Sequence, residues 1–167
     1  MAYKPFKVDV IKVLRQSYSS SAVQDRLAEF AMESEFKKLF GVRMVDRIVE
    51  RTRNENIDRF GKSLGKYSKE YKKSLVFQIY GKADPVDLTL TGAMLESLAS
   101  DDSGRMIIID VGDNEKGKAE GHITGKLGKN GRAKPRNFLG LPDSELNKIF
   151  KESMQDYRSG AFSEILV

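Results

Sequence analysis

From Ala22 the chain keeps a helical beat longer than any other in the sequence. Val23, Leu27, Phe30, Ala31, Ser34, Leu39 and Phe40 fall near one face of a helix. Gly41 interrupts, and Val42, Val45, Ile48 and Val49 resume the pattern. This predicts one long helix, or two in tandem broken at Gly41, ending near Asn54. Arg43, Arg47, Arg51 and Arg53 crowd its second half. With Asp46 and Glu50 at helical spacing they read as a solvated charged face.

The other elements are shorter. Phe6, Val8 and Val10 alternate with Lys7 and Asp9, which reads as a strand; an amphipathic helix through Val10, Val13 and Leu14 is the alternative. Ser17–Ser21 reads as a turn and helix cap, and residues 54–66 as a polar loop. A short helix is expected over Ser68–Ser74, and Leu88–Leu90 as an extended piece. In TGAMLESLAS, Thr91 is placed to cap a helix that buries Met94, Leu95 and Leu98. Asp101–Gly104 reads as a turn. RMIIIDV, residues 105–111, is the best strand, and its three isoleucines predict cover on both faces. Asn114–His122 reads as helical with Ala119 and His122 on one face. Pro142–Tyr157 is the last helix, with Leu146, Ile149, Phe150 and Met154 as its buried stripe.

At 167 residues and 40% hydrophobic content the expectation is one domain, 1–167. No run approaches the apolar length of a membrane span, and MAYKPFKVDV lacks the apolar core of a signal peptide. The chain has no cysteine, which excludes disulfides and thiolate metal sites. Its formal net charge is +5, a balance compatible with polyanionic partners.

That charge is spread along the chain, with a local excess within EGHITGKLGKNGRAKPRNFLGL, residues 120–141. Lys126, Lys129, Arg132, Lys134 and Arg136 come without an intervening acid, among glycines, and run into Phe138 and Leu139 between Pro135 and Pro142. The stretch reads as a flexible basic arm, 120–136, leading to an apolar anchor. His122 is the sole histidine. No nucleophile elbow, phosphate-binding loop, dinucleotide fingerprint or calcium loop accompanies it. No catalytic, metal or cofactor residues are therefore assigned, and no cofactor is expected. No sequence-specific nucleic-acid motif is legible either, although non-specific phosphate contact stays open. The tail, residues 158–167, ends on Phe162, Ile165 and Leu166, apolar groups to be packed home or donated to a neighbour.

The order of segments carries a resemblance. IVERTRNENIDRFGKS runs into YSKEYKKS; then come LTLTGAMLESLAS, a strand, Ala119-x-x-His122-x-x-Gly125, KPRNFLGL and a final helix. This resembles the tail-completion and head-tail-joining (neck) proteins of tailed bacteriophages, over residues 45–157. The matching positions are Thr91, Gly92, His122, Gly125, Pro135, Arg136, Phe138, Leu139 and Gly140. A departure is Asn56, where the family carries glycine before Ile57. The resemblance implies an α+β fold: a small antiparallel sheet packed against a long N-terminal helix, with a C-terminal helix and extended arms; residues 1–21, outside the resemblance, read from their own pattern as a strand or arm. It implies a structural virion protein, made in the host cytoplasm, that joins head to tail. The expected partners are further copies in a ring of six- or twelve-fold symmetry, adjacent neck, portal or tail proteins, and DNA in transit, with no membrane. Lys126, Lys129, Arg132, Lys134, Arg136, Phe162, Ile165 and Leu166 are the expected interface residues. The alternative is a small, basic, non-specific nucleic-acid-binding module.

Overall fold

The computed structural model describes residues 3–80, 84, 86, 88, 92–127 and 133–161. The fold is α+β: helices and one small antiparallel sheet. The chain divides into two compact units, each drawn from separate stretches. One comprises Met1–Lys4, Ile48–Leu98 and Val111–Gly140; the other comprises Pro5–Arg47, Ala99–Asp110 and Leu141–Val167.

The second of these holds the sheet. Strand β1 (Phe6–Asp9) turns directly into helix α1 (Val10–Ser17), whose first turn is capped by the Asp9 carboxylate accepting from Lys12 N at 3.0 Å. Both readings of FKVDVIKVL are thus realised in succession. Strand β3 (Met106–Asp110) is central, with β1 and β2 (Ala99–Ser103) antiparallel on either side. Ile107 and Ile109 are buried and Ile108 is half-buried, so burial alternates along β3 rather than covering both faces equally. Asp101–Ser103 belong to β2, and the turn comes at Gly104–Arg105. The sequence ASDDS hides this strand because it is a polar edge, paired to β3 by main-chain bonds rather than by apolar side chains. Lys37, almost fully buried, holds it with an ion pair to Asp102 at 2.9 Å and a bond to Gly104 O at 3.0 Å. That contact pulls the Asp102 carboxyl below its ordinary range.

The long helical run is broken at Glu33, not at Gly41. Helix α2 spans Ser21–Met32; Glu33 adopts an extended ψ of 138°; and α3 spans Ser34–Glu50. The break resets the helical phase. The buried stripe of α3 is Phe36, Phe40, Met44 and Ile48, at intervals of four, with Leu39 beside it. Phe30, assigned to the buried stripe by the unbroken pattern, is left 38% exposed. Gly41 instead lets α3 approach the sheet. A Cβ there would sit 2.5 Å from Ser100 Oγ and 2.8 Å from its Cβ. Helix α8 (Asp143–Ser159) buries Leu146, Ile149, Phe150 and Met154 as its stripe predicts. Phe150 stands edge-on to Phe36 and to Phe40, with centroids 5.3 Å apart in each pair.

In the other unit, α3 runs on into a π-helical turn, Arg51–Glu55. Short helices α4 (Lys69–Lys72), α5 (Leu75–Ile79) and α6 (Ala93–Glu96) follow, and α7 (Lys116–Thr124) comes after β3. Met94, Leu95 and Leu98 are buried as expected. Gly92, not a threonine, occupies the N-cap position of α6 with φ 77°; Thr91 lies outside the described residues. So do Thr89 and Leu90, while Leu88 has φ 57°, a left-handed rather than extended conformation.

Candidate functional site

The stretch singled out for its charge is built as a latch. Helix α7 ends at Thr124, whose hydroxyl donates back to Glu120 O at 2.7 Å. Glu120–Thr124 are therefore helix, not the start of an arm. Gly125 takes the left-handed C-cap with φ 76°. A side chain there would run into the Ala133 carbonyl and the Pro135 ring. The chain returns beside the same helix end: Ala133 N donates to Gly125 O at 2.8 Å and Arg136 N to His122 O at 2.7 Å.

From Lys134 to Gly140 the segment is tied, bond after bond, to residues 58–66. The Lys134 ammonium reaches Ser63 O at 3.4 Å. The Arg136 guanidinium donates to Leu64 O at 3.1 Å and to Lys66 O at 3.5 Å. Arg59 N donates to Asn137 O at 2.8 Å. Arg51, 2% exposed, bridges the pair by donating to Gly140 O at 3.3 Å and to Asp58 O. Phe138 and Leu139 are buried, as the apolar anchor predicts. The polar loop 54–66 is correspondingly ordered by its own turn: Asp58 Oδ1 accepts from Phe60 N and Lys62 N, each at 2.9 Å. Asn56 has φ 56° and ψ 37°. Asparagine is one of the few residues that replace glycine there at small cost.

The basic residues thus separate. Arg136 is spent inside the fold, and burial holds its guanidinium below the usual arginine range. Lys134 touches backbone, Lys126 is exposed, and Lys129 and Arg132 lie outside the described residues. Phe162, Ile165 and Leu166 lie outside them as well. The arginines of α3 and the π turn are not a solvated face. Arg51 is buried; Arg43 pairs with Asp156 at 2.5 Å, Arg47 with Glu145 at 2.8 Å, and Arg53 with Glu96 at 3.2 Å. Their partners come from distant stretches, so helical spacing alone did not find them.

His122 is mostly enclosed, and its Nδ1 has no hydrogen-bond partner among the described residues. Burial first, then the charges of Arg136 and Lys118, push its pKa down to about 4. At neutral pH it is a neutral imidazole beside cations, a poor proton carrier. Among the described residues no three histidine or carboxylate side chains are placed to hold a metal ion. The sheet-bearing unit has an open groove of about 420 Å³ lined by Tyr18, Lys151, Met154, Gln155, Arg158 and Ser159. The Lys151 ammonium lies 5.7 Å over the Tyr18 ring. The lining offers cations and an aromatic but no carboxylate or imidazole.

The surface that sequence reasoning missed is α5. Leu75, Val76, Ile79 and Tyr80 are 70, 45, 68 and 54% exposed. Val76–Tyr80 is a brief apolar run in the sequence, and nothing in it marks the helical winding that exposes most of these side chains. Among the described residues no helix is long and apolar enough to cross a membrane. No family model, curated protein or solved structure matches this chain.

Proposed function

We propose that the chain is a structural virion protein of a tailed bacteriophage, acting at the neck or head-proximal end of the tail by joining copies of itself and adjacent neck, portal or tail proteins. It is made in the host cytoplasm and works without catalysis. The observation that carries this reading is the fate of the motif residues. Gly92 opens α6, Gly125 closes α7, the His122 carbonyl receives Arg136 N, Phe138 and Leu139 are buried, and the Gly140 carbonyl receives Arg51. These members of the set are consumed in holding one unit together. A motif of this kind specifies a frame, and what the frame presents outward is adhesive surface. An enzyme needs an acid, a base or a nucleophile facing a cleft, and the one imidazole is turned inward and held neutral.

Light scattering on the purified chain, with and without double-stranded DNA, tests the reading. Ring-sized oligomers with little DNA affinity at physiological salt are expected. A stable monomer that binds DNA tightly and with steep salt dependence overturns it in favour of a basic nucleic-acid-binding module.

A further inference from the structure

Among the described residues, the large apolar side chains that stand exposed on helices or at their ends fall into two groups of opposite electrical character. On α5, Leu75, Val76 and Ile79, with the C-cap Tyr80, share one side of the helix, and Phe77 on the other side packs edge-on to Tyr67 and Tyr71 at 5.3 and 5.5 Å. The exposed charges flanking this helix in the chain are Lys66, Lys69 and Lys73 against one acid, Glu70. Lys72 is taken by Asp84. The second group is Phe30 and Met32, each 38% exposed, on either side of the last turn of α2, with the Phe30 ring edge-on to Tyr157 at 6.5 Å. Its exposed charged neighbours in the chain are the acids Asp25, Glu29, Glu33 and Glu35 against the cations Arg26 and Lys38, and Glu33 already accepts from the Tyr157 hydroxyl. Single exposed apolar residues need no explanation, but four on one short helix face among lysines mark a surface meant to be covered.

We propose that these are the two halves of one head-to-tail contact, in which the α5 face of one protomer covers Phe30 and Met32 of the next. This rests on the assembly reading above and names its surfaces. Charge selects the pairing. Two α5 faces brought together would set lysine against lysine, and two α2 ends would set acid against acid. Like-charge juxtaposition of this kind disfavours both self-pairings. The crossed pairing places Lys66, Lys69 and Lys73 near Asp25, Glu29, Glu33 and Glu35 around an apolar centre. Because a surface meets a different surface, the contact propagates from copy to copy.

Such a contact has a signature that symmetric ones lack. Ile79→Asp disables one half and Phe30→Asp the other, both at exposed positions. Circular dichroism and melting identical to the parent verify that each variant folds. In sedimentation velocity, each alone should lose self-association by at least roughly tenfold. Mixed in equal amounts, they should form a heterodimer and stop there. The intact acidic surface of the Ile79→Asp chain meets the intact α5 face of the Phe30→Asp chain, and the two remaining surfaces are both defective. A second pair, Lys69→Glu/Lys73→Glu with Glu29→Lys/Glu35→Lys, leaves the apolar centre untouched: each alone should lose self-association, and the mixture should regain it beyond the heterodimer, because the two reversed surfaces are complementary again. If Phe30→Asp assembles like the parent, or the mixtures stay monomeric while the parent oligomerises, the pairing is overturned and the assembly reading stands. A parent that never self-associates also overturns the pairing, and the DNA titration then decides the wider reading. Capture of a monomeric parent by vesicles of anionic phospholipid, abolished by Ile79→Asp, would assign the α5 face to a membrane surface instead and likewise overturn the pairing.

Discussion

His122 links one side chain to the pH range over which the chain stays folded. Its pKa, pushed down to about 4 by burial and then by Arg136 and Lys118, lies below the value of an exposed imidazole, about 6.5. The unfolded chain therefore binds a proton at a pH where the folded chain does not. The stabilisation is full above about pH 6.5, is lost as pH falls toward 4, and is gone below that. A separation of this size corresponds to about 3 kcal/mol. Thermal melts at pH 7 and pH 4.5 should show a fall in Tm that is smaller in His122→Gln, which cannot titrate. Equal falls in the two proteins would mean that His122 is reached by water or by a partner in the folded state. The same enclosure was not legible in the sequence, which offered His122 no chemical partner and assigned it no catalytic role. Its burial is set by residues distant along the chain.

Elements here meet by close backbone approach, and two substitutions measure it. Gly41→Ala should raise the intrinsic helix propensity of α3 by about 1 kcal/mol. Its Cβ would nevertheless fall 2.8 Å from the Cβ of Ser100, which no rotamer change relieves. Net destabilisation of about 1–3 kcal/mol is expected in urea unfolding; a stabilised variant would show that α3 and β2 separate readily. Arg51→Met keeps most of the side-chain volume but leaves the carbonyls of Asp58 and Gly140 without this donor. A loss of about 2–3 kcal/mol is expected from stranding one buried and one part-buried acceptor, and an unchanged denaturation midpoint would dissolve the latch. These contacts explain what the sequence yields and what it withholds. Helix α8 and the α6 stripe were legible because periodicity is local. The break at Glu33 was not, since no glycine or proline marks it, and the glycine that drew the break to itself serves packing. Strand β2 was hidden because its reason for existing is β3. In the latch, Phe138 announced its burial, but Arg51 and Arg136 resembled the surface cations around them; only the carbonyls they satisfy distinguish them.

At the scale of the whole molecule, a chain of net charge +5 has to approach copies of itself against an overall repulsion. Salt separates the forces involved. The screening length falls from about 10 Å at 0.1 M to about 3 Å at 1 M. Body-to-body repulsion, acting over long distances, disappears over that range. The lysine–acid attraction at the proposed contact weakens, and the apolar centre of Leu75, Val76 and Ile79 does not. Self-association should therefore change by less than about tenfold in Kd between the two salt concentrations, with the larger effect on the association rate. A DNA-binding surface behaves otherwise. Each neutralised phosphate contributes about 0.9 to the log–log slope, so even four contacts weaken binding about 4,000-fold across the same range. Lys126, Lys129, Arg132 and Lys134 supply that number once Arg136 is committed to the Leu64 and Lys66 carbonyls. Sedimentation and fluorescence anisotropy titrations run side by side at 0.1 and 1 M salt would place the chain in one regime or the other. A self-association that collapses a thousandfold would mean that charge alone holds the copies together, and that the exposed face of α5 serves a different partner.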